Sequence, residues 1–135
     1  MNKGRFVAAA IGVWIVRVAL NWTFYTQVVG GQYQQITEAH PGMFREVIPA
    51  YILTDLIFAV AFAFLFVKTS TALGGGVKAG VFLGVIVAIL SPVVGNLYHF
   101  YSFTWLPGSM ALTDSIFQVI AHAVEGAAAA LIYKD

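Results

Sequence analysis

Four long apolar runs dominate the pattern of hydrophobic and polar positions along the chain. Each contains 21 to 23 residues, and they cover Phe6–Gln27, Val47–Val67, Val77–His99 and Ala111–Tyr133. At about 1.5 Å of rise per residue, each run forms a helix about 31–35 Å long, enough to cross a hydrocarbon core about 30 Å thick. Breaks rich in glycine, proline and threonine separate the runs, and the longest covers residues 28–46. The pattern therefore predicts an all-α membrane protein with four transmembrane helices in a single domain.

Composition supports this prediction. Of the 135 residues, 60% are hydrophobic and only 10% are charged, whereas a soluble domain carries about 25% charged residues. So few charged residues could not cover the surface of a soluble domain, so the outside of this protein is expected to face lipid. The net charge of +1 and the lack of a basic stripe argue against nucleic acid as a partner. The absence of cysteine excludes disulfides, thiolate metal sites and iron–sulfur clusters.

The distribution of lysine and arginine predicts the orientation. One set of helix ends carries most of these residues, and the opposite connections contain only Arg45. The basic ends contain Lys3, Arg5, Lys68, Lys78 and Lys134. By the positive-inside rule, both termini are cytoplasmic and residues 28–46 form an outer loop.

An eight-residue motif occurs twice. Residues 53–60 read Leu-Thr-Asp-Leu-Ile-Phe-Ala-Val and residues 112–119 read Leu-Thr-Asp-Ser-Ile-Phe-Gln-Val, with six identities in eight positions. The preceding helices match more loosely, around Asn21 and Asn96. Chance similarity of apolar segments is the alternative, but it does not readily produce a matched Thr-Asp pair inside a membrane span. The motif predicts two tandem helical hairpins with the same orientation, which is a parallel repeat.

Apart from Lys78, the second residue of the third run, four charged residues lie inside the apolar runs. A charge at the bilayer centre costs about 2.5–3.5 kcal/mol on insertion scales, so each needs a partner or a wet cavity. Polar residues spaced three or four apart place one polar face on each helix. The candidate polar core comprises Arg17 and Asn21 in the first helix, Tyr51 and Asp55 in the second, Asn96 and His99 in the third, and Asp114, Gln118, His122 and Glu125 in the fourth.

Two interpretations of this core remain open. Arg17 and Asp55 lie at similar depth, so we expect an intramembrane ion pair, and such a pair can serve only to fix the order of the helices. Alternatively, the core lines a cavity open to the outer side that binds or transports a small polar or anionic solute or protons. Arg17 would then contact the solute, while Asp55, Asp114, His122 and Glu125 would accept protons.

Catalytic and cofactor chemistry has no positive signal. Common hydrolase, metalloprotease and phosphate-loop motifs are absent, so we do not expect an enzyme. His99 and His122 differ in depth by about 15 Å along the membrane normal, which is too far for two ligands of one haem iron. No cofactor and no metal site are expected.

Small residues in the third helix suggest close helix packing. Gly76, Gly80 and Gly84 recur every four residues, and such a face lets two membrane helices approach closely. These glycines either pack within the chain or form the seam of a homodimer. They also support a second functional hypothesis, in which the chain is a structural or accessory subunit of a larger membrane complex.

Further features are shared with known proteins. They are Asn21-Trp22 with Tyr25 in the first helix, Gly80-x-x-x-Gly84 in the third, and Asp114 with Gly126 in the fourth. In these three features the chain resembles families of bacterial four-helix inner-membrane proteins that have no agreed activity. The resemblance covers most of the chain and implies a four-helix fold in the bacterial inner membrane. Neither Arg17 nor the repeat at Asp55 belongs to that pattern.

Overall fold

The computed structural model of the chain describes residues 2–45 and 47–134, and all regular structure in these ranges is helical. Helices α1 and α2 are followed by α3, by α4 and α5 in one continuous span, and by α6. Their bounds are Lys3–Thr23 for α1, Gly30–Ala39 for α2, Ile48–Thr69 for α3, Gly76–Ala88 for α4, Val94–Ser102 for α5 and Gly108–Ile132 for α6. The π-helical stretch Phe24–Val28 continues α1, and the π-helical stretch Ile89–Val93 joins α4 to α5.

Four helical spans are long and apolar enough to cross a membrane, which confirms the prediction at this level. They are Lys3–Val28, Ile48–Thr69, Gly76–Ser102 and Gly108–Ile132. Local sequence explains where they begin. The Asn2 side chain accepts a hydrogen bond of 3.1 Å from the backbone N–H of Arg5 and so caps α1. Pro49 lies in the first turn of α3, where its missing N–H is tolerated.

The predicted 28–46 connection contains a helix of its own. Tyr33 and Ile36 of α2 pack against Leu106, Met110 and Ala111 near the start of α6. Three aromatic rings continue this contact, with centroids 5.8 Å apart from Tyr33 to Phe44 and 5.5 Å apart from Phe44 to Trp105. We call Tyr33, Phe44 and Trp105 the aromatic cap.

The four spans pack side by side in the order α3, α1, α6 and α4, rather than as a square in which every helix has two close neighbours. Helix α1 lies between α3 and α6, and α6 packs on its other side against α4, whereas α3 and α6 touch only slightly. Small residues form much of the core, with Ala9 in α1, Ala63 in α3, Ala79 in α4 and Ala129 in α6 all fully buried. Small side chains bring the helix backbones close together, which places polar groups on neighbouring helices within reach of one another.

A glycine seam joins α4 to α6. A Cβ atom at Gly80 would lie 2.1 Å from the carbonyl oxygen of Gly126, and a Cβ atom at Gly84 would lie 2.0 Å from the carbonyl oxygen of His122. Real Cβ atoms do not approach backbone oxygens this closely, so both positions require glycine. Gly76 differs, because a Cβ atom there would meet nothing within 4 Å. Two of the three glycines suggested for a homodimer seam therefore pack against the chain's own fourth span.

The two ends of the described chain are neighbours. The backbone N–H of Asn2 donates a hydrogen bond of 3.2 Å to the Tyr133 hydroxyl, and the Arg5 guanidinium donates to the carbonyl oxygen of Lys134. The start of the first span and the end of the fourth span thus lie at the same end of the helix bundle.

Candidate functional site

One set of polar side chains is centred on Arg17. Its Nε donates to an Asp55 carboxylate oxygen at 2.7 Å, and its Nη1 donates to a Glu125 oxygen at 3.2 Å. The guanidinium also lies over the Phe58 ring, 3.8 Å from the centroid, an arrangement that stabilises a cation. The Arg17 and Asp55 side chains are 14% and 15% exposed, and that of Glu125 is fully buried. The predicted ion pair of Arg17 with Asp55 is confirmed, and Glu125 is a second partner that the sequence did not identify.

Two further residues complete this set. The Asn21 Nδ2 donates to Asp55 at 3.4 Å. The Nδ1 atom of His122 lies 2.8 Å from the carbonyl oxygen of Gln118 and 4.0 Å from a Glu125 oxygen. Because a carbonyl oxygen only accepts, Nδ1 carries the hydrogen. We call Arg17, Asn21, Asp55, His122 and Glu125 the arginine cluster.

A second set of polar side chains surrounds Asp114. The Tyr25 hydroxyl donates to one carboxylate oxygen, and Asn96 Nδ2 donates to the other at 2.5 Å. Asn96 also lies 3.1 Å from the Ser115 hydroxyl, and Gln118 Nε2 donates to the Tyr25 oxygen at 3.0 Å. We call Tyr25, Asn96, Asp114, Ser115 and Gln118 the tyrosine cluster.

Aromatic rings enclose the tyrosine cluster. Phe24 stacks on Phe117 with centroids 3.8 Å apart, and the edge of Tyr25 meets the Tyr33 ring of the aromatic cap at 5.9 Å. Burial raises the pKa of the Tyr33 phenol above its usual value, and the negative charge of Asp114 raises it further. The Tyr33 ring of the cap therefore packs on Tyr25, the residue that donates to Asp114, from the side of α2.

The charges of the two clusters do not balance. Asp55, Asp114 and Glu125 supply three carboxyl groups, while Arg17 is the one lysine or arginine that contacts them among residues 2–45 and 47–134. Within the same ranges, no group of three or more His, Asp or Glu side chains has the arrangement of a metal site. If all three acids are ionised, the interior holds a net negative charge, which is costly in a membrane.

An apolar groove adjoins the arginine cluster at Phe58. It has a volume of about 130 Å³ and lies between α3 and α4, lined by Phe58, Ala61, Phe62, Leu65 and Val87. None of the polar side chains of either cluster lines this groove. The polar side chains of the clusters instead bind one another across neighbouring helices. Among them, Gln118, His122 and Glu125 are buried.

Both π-helical stretches lie beside residues of the tyrosine cluster. Tyr25 lies inside the first stretch, and the second contains Pro92, four residues before Asn96. Proline lacks an N–H and disturbs the helical hydrogen-bond ladder, which accounts for the second stretch. Such stretches are common at functional sites. No sequence cause is evident for the first one.

Eight of the ten predicted core residues take part in the two clusters. Tyr51 is 60% exposed and donates to the carbonyl oxygen of Arg45 at 2.9 Å. His99 is also exposed, with its ring beside Phe103. Sequence reasoning missed Tyr25 and Ser115. The signal for Tyr25 was present, because it lies four residues after Asn21 and so extends the polar face of α1 by one turn.

Comparison with protein-family models, with curated proteins and with solved structures gives no match for this chain.

Proposed function

We propose that this chain binds protons inside the membrane at the arginine cluster, as the core of a binding or transport function. The observation that carries the proposal is the sharing of one guanidinium by two carboxyl groups, Asp55 and Glu125. With both acids ionised the cluster has a net charge of −1, and with one proton bound it is neutral. Because an uncompensated charge is costly in a low-dielectric interior, the bound proton balances the cluster.

Glu125 is the favoured carrier of that proton. Asp55 has the shorter contact with Arg17, an additional donor in Asn21 and some exposure. Glu125 has the longer contact and is fully buried. Removal from water disfavours the charged form of a carboxyl group most where burial is complete and compensation is weakest.

A row of hydrogen-bonding groups leads from the aromatic cap to Glu125. Asp114 and Tyr25 come first, Gln118 follows, and His122 lies 2.8 Å from the Gln118 carbonyl oxygen and 4.0 Å from Glu125. Carboxyl, phenol and imidazole groups can each exchange a proton, and rows of this kind serve proton pathways in membranes. The Gln118 amide does not carry a proton itself, so we infer that His122 exchanges protons with Glu125 and that the Asp114–Tyr25 pair lies on the cap side of Gln118.

The contacts of Arg17 favour a proton over an anionic solute. Its guanidinium already binds two carboxyl groups and stacks on Phe58. An incoming anion would have to displace one of these partners. The alternative role as an accessory subunit gains no support from Gly80 and Gly84, since both face α6 within the chain.

Infrared difference spectroscopy tests the proposal directly. The purified chain in lipid nanodiscs should show a carbonyl band of a protonated carboxyl group that disappears reversibly as the pH is raised. Glu125→Gln should remove that band, and Glu38→Gln, at an exposed carboxyl on α2, should leave it. Persistence of the band in Glu125→Gln would overturn the assignment.

We also infer that the chain consists of two tandem hairpins in a bacterial inner membrane, with both termini cytoplasmic. In support, each hairpin contains the same contact, from Asn21 to Asp55 in the first and from Asn96 to Asp114 in the second. The adjacent chain ends are consistent with an even number of crossings.

The orientation can be measured with single cysteines, because the chain has none of its own. In intact cells, a membrane-impermeant maleimide should label Gln35→Cys and should label Thr71→Cys only after permeabilisation. Both positions are exposed. The reverse pattern of labelling would contradict the proposed orientation.

A further inference from the structure

A second apolar groove runs between α1 and α3. It has a volume of about 540 Å³, and only apolar side chains line it. Those on α3 follow one another at intervals of one, three or four residues, so they share one side of the helix. The lining residues are Phe6 on α1 and Leu56, Ile57, Val60, Ala61 and Phe64 on α3. We call this the α1–α3 groove.

The α1–α3 groove opens toward the surroundings of the protein. Two of its lining residues, Ile57 and Phe64, are 63% and 48% exposed. The surroundings of a membrane span are hydrocarbon, and a groove left empty loses dispersion contacts along its walls. Because the lining side chains carry no polar group, the groove offers water no hydrogen-bond partner. An acyl chain is therefore the occupant that its chemistry fits.

The length of the α1–α3 groove matches one leaflet of a bilayer. From Leu56 to Phe64, α3 advances by about 12 Å at helical rise, and one leaflet of the hydrocarbon core is about 15 Å thick. Leu56 lies near the middle of the span Ile48–Thr69, and Phe64 lies nearer its end. The groove therefore runs from the middle of the membrane toward one interface.

Two lysines lie at the interfacial end of the α1–α3 groove. Lys68 follows Phe64 by one turn of α3, and its ammonium lies 5.7 Å from the centroid of the Phe64 ring. Lys3 precedes Phe6 by three residues and so shares its face of α1. Both lysines are exposed, and in the part of the chain that the structure describes neither forms an ion pair with a carboxylate. An apolar groove that ends at two cations complements an amphipathic anion.

We propose that the α1–α3 groove binds one acyl chain of an anionic phospholipid, whose headgroup phosphate is held between Lys68 and Lys3. Each lysine near a membrane surface strengthens the binding of anionic lipid about fivefold. A zwitterionic lipid gains less, because its own positive group lies beside the phosphate and is repelled by the lysines. The site shares no residue with either polar cluster, so it goes beyond the proposed proton binding and is tested separately.

Equilibrium binding of radiolabelled phosphatidylglycerol to the purified wild-type chain in detergent micelles tests the site. We expect saturable binding of one lipid per chain. Phosphatidylcholine with the same acyl chains should compete at least tenfold more weakly than unlabelled phosphatidylglycerol. Glycerol phosphate, which has the phosphate without an acyl chain, should not compete. Equal competition by the two lipids, or displacement by glycerol phosphate, would overturn the proposal.

Lysine variants test the headgroup contacts. Lys68→Gln and Lys3→Gln should each weaken phosphatidylglycerol binding about fivefold, and the double variant about 25-fold. Lys78→Gln, at an exposed lysine in the first turn of α4, is the matched control and should bind as the wild type does. Wild-type affinity in the double variant, or an equal loss in Lys78→Gln, would show that no specific pair of lysines holds the phosphate and would overturn the proposal.

A substitution that fills the groove tests the position of the acyl chain. Val60→Trp, at a lining residue that is 42% exposed, should weaken binding at least tenfold although both lysines remain. Val124→Trp, at a residue of α6 that is 44% exposed and does not line the groove, should leave the affinity unchanged. Unchanged affinity in Val60→Trp would overturn the proposed seat of the chain. The wild-type and lysine measurements decide the proposal even if Val60→Trp does not fold.

Discussion

Asp55 and Asp114 occupy the same position of the repeated motif, yet they lie in clusters of different chemistry. Each accepts a hydrogen bond from an asparagine on the preceding span. Asp55 also binds the Arg17 guanidinium at 2.7 Å, whereas Asp114 is held by the Tyr25 hydroxyl. One carboxyl group therefore has a charged partner and the other has only neutral donors. The comparison teaches that one sequence motif supports either an ion pair or a site with charge left to balance, depending on the neighbouring helix.

The two clusters also differ in how they are held. The arginine cluster ties α1 to α3 and α6, the three helices whose contacts build much of the core. The tyrosine cluster joins the end of α1 to α5 and α6 beneath the aromatic cap. We therefore expect changes in the arginine cluster to affect global stability most, and changes in the tyrosine cluster to act more locally.

The largest expected effect comes from Arg17→Met. It leaves Asp55 and Glu125 without their cation, and breaking a buried pair from one side costs about 3–5 kcal/mol. Unfolding of the purified protein by a denaturing detergent, followed by circular dichroism, measures the loss. Arg45→Met, at an exposed arginine, is the control and should change stability by less than about 0.5 kcal/mol. Equal stabilities of the two variants would show that Arg17 does not organise the arginine cluster.

A somewhat smaller loss is expected for Gly84→Ala. The new Cβ atom would lie 2.0 Å from the His122 carbonyl oxygen, and because both groups belong to backbones, α4 has to move away from α6. We expect a cost of about 3 kcal/mol, the upper end of the usual range for overpacking. In the same span, Gly95→Ala meets nothing within 4 Å and is the matched control. If both variants unfold alike, the glycine seam does not hold the third span.

Tyr25→Phe tests whether a change in the tyrosine cluster acts locally and leaves the arginine cluster unaffected. It removes the hydroxyl that bridges Asp114 and Gln118, and a hydrogen bond of this kind is worth about 1 kcal/mol. Hydrogen exchange should become faster around α5 and the start of α6, with little change in α3. Tyr51→Phe removes an exposed hydroxyl bonded to the Arg45 carbonyl, and we expect almost no effect from it. A loss of protection in α3 equal to that in α5 would contradict the local character of the tyrosine cluster.

The smallest effect concerns alkaline pH. Because the pKa of Tyr33 is raised in the folded state above its usual value of 10.0, the folded protein keeps this proton at a pH where the unfolded chain releases it. The stabilisation from Tyr33 is therefore complete below pH 10 and is lost as the pH rises through the folded pKa. Ultraviolet titration of the wild type against Tyr33→Phe isolates this phenol. Asp114→Asn removes a negative charge near this phenol and should bring the pKa of Tyr33 nearer to 10. Ionisation of Tyr33 at or below pH 10 in the wild type would contradict the packing of the aromatic cap.

The residues that failed to join the clusters show how far spacing alone can be trusted. Tyr51 and Asp55 are four residues apart and share a helix face, but Tyr51 lies one turn nearer the helix start, where it is 60% exposed. His99 follows Asn96 by three residues, and only Asn96 reaches Asp114. Periodicity shows which residues share a face of a helix. Helix packing then decides how much of that face a neighbouring helix covers.

The four spans, their approximate ends and the Arg17–Asp55 pair were determined by the sequence itself. Hydrophobic length and the cost of an unpaired charge in a membrane leave few alternatives for such features. Tertiary structure decided that Glu125 shares Arg17, that Tyr25 rather than a cation faces Asp114, and that Gly80 and Gly84 pack inward. These outcomes depend on the order in which the helices pack and on their rotation about their own axes. Neither is encoded in the period of a single helix, so Asp55 and Asp114, alike in sequence, acquire different partners in the fold.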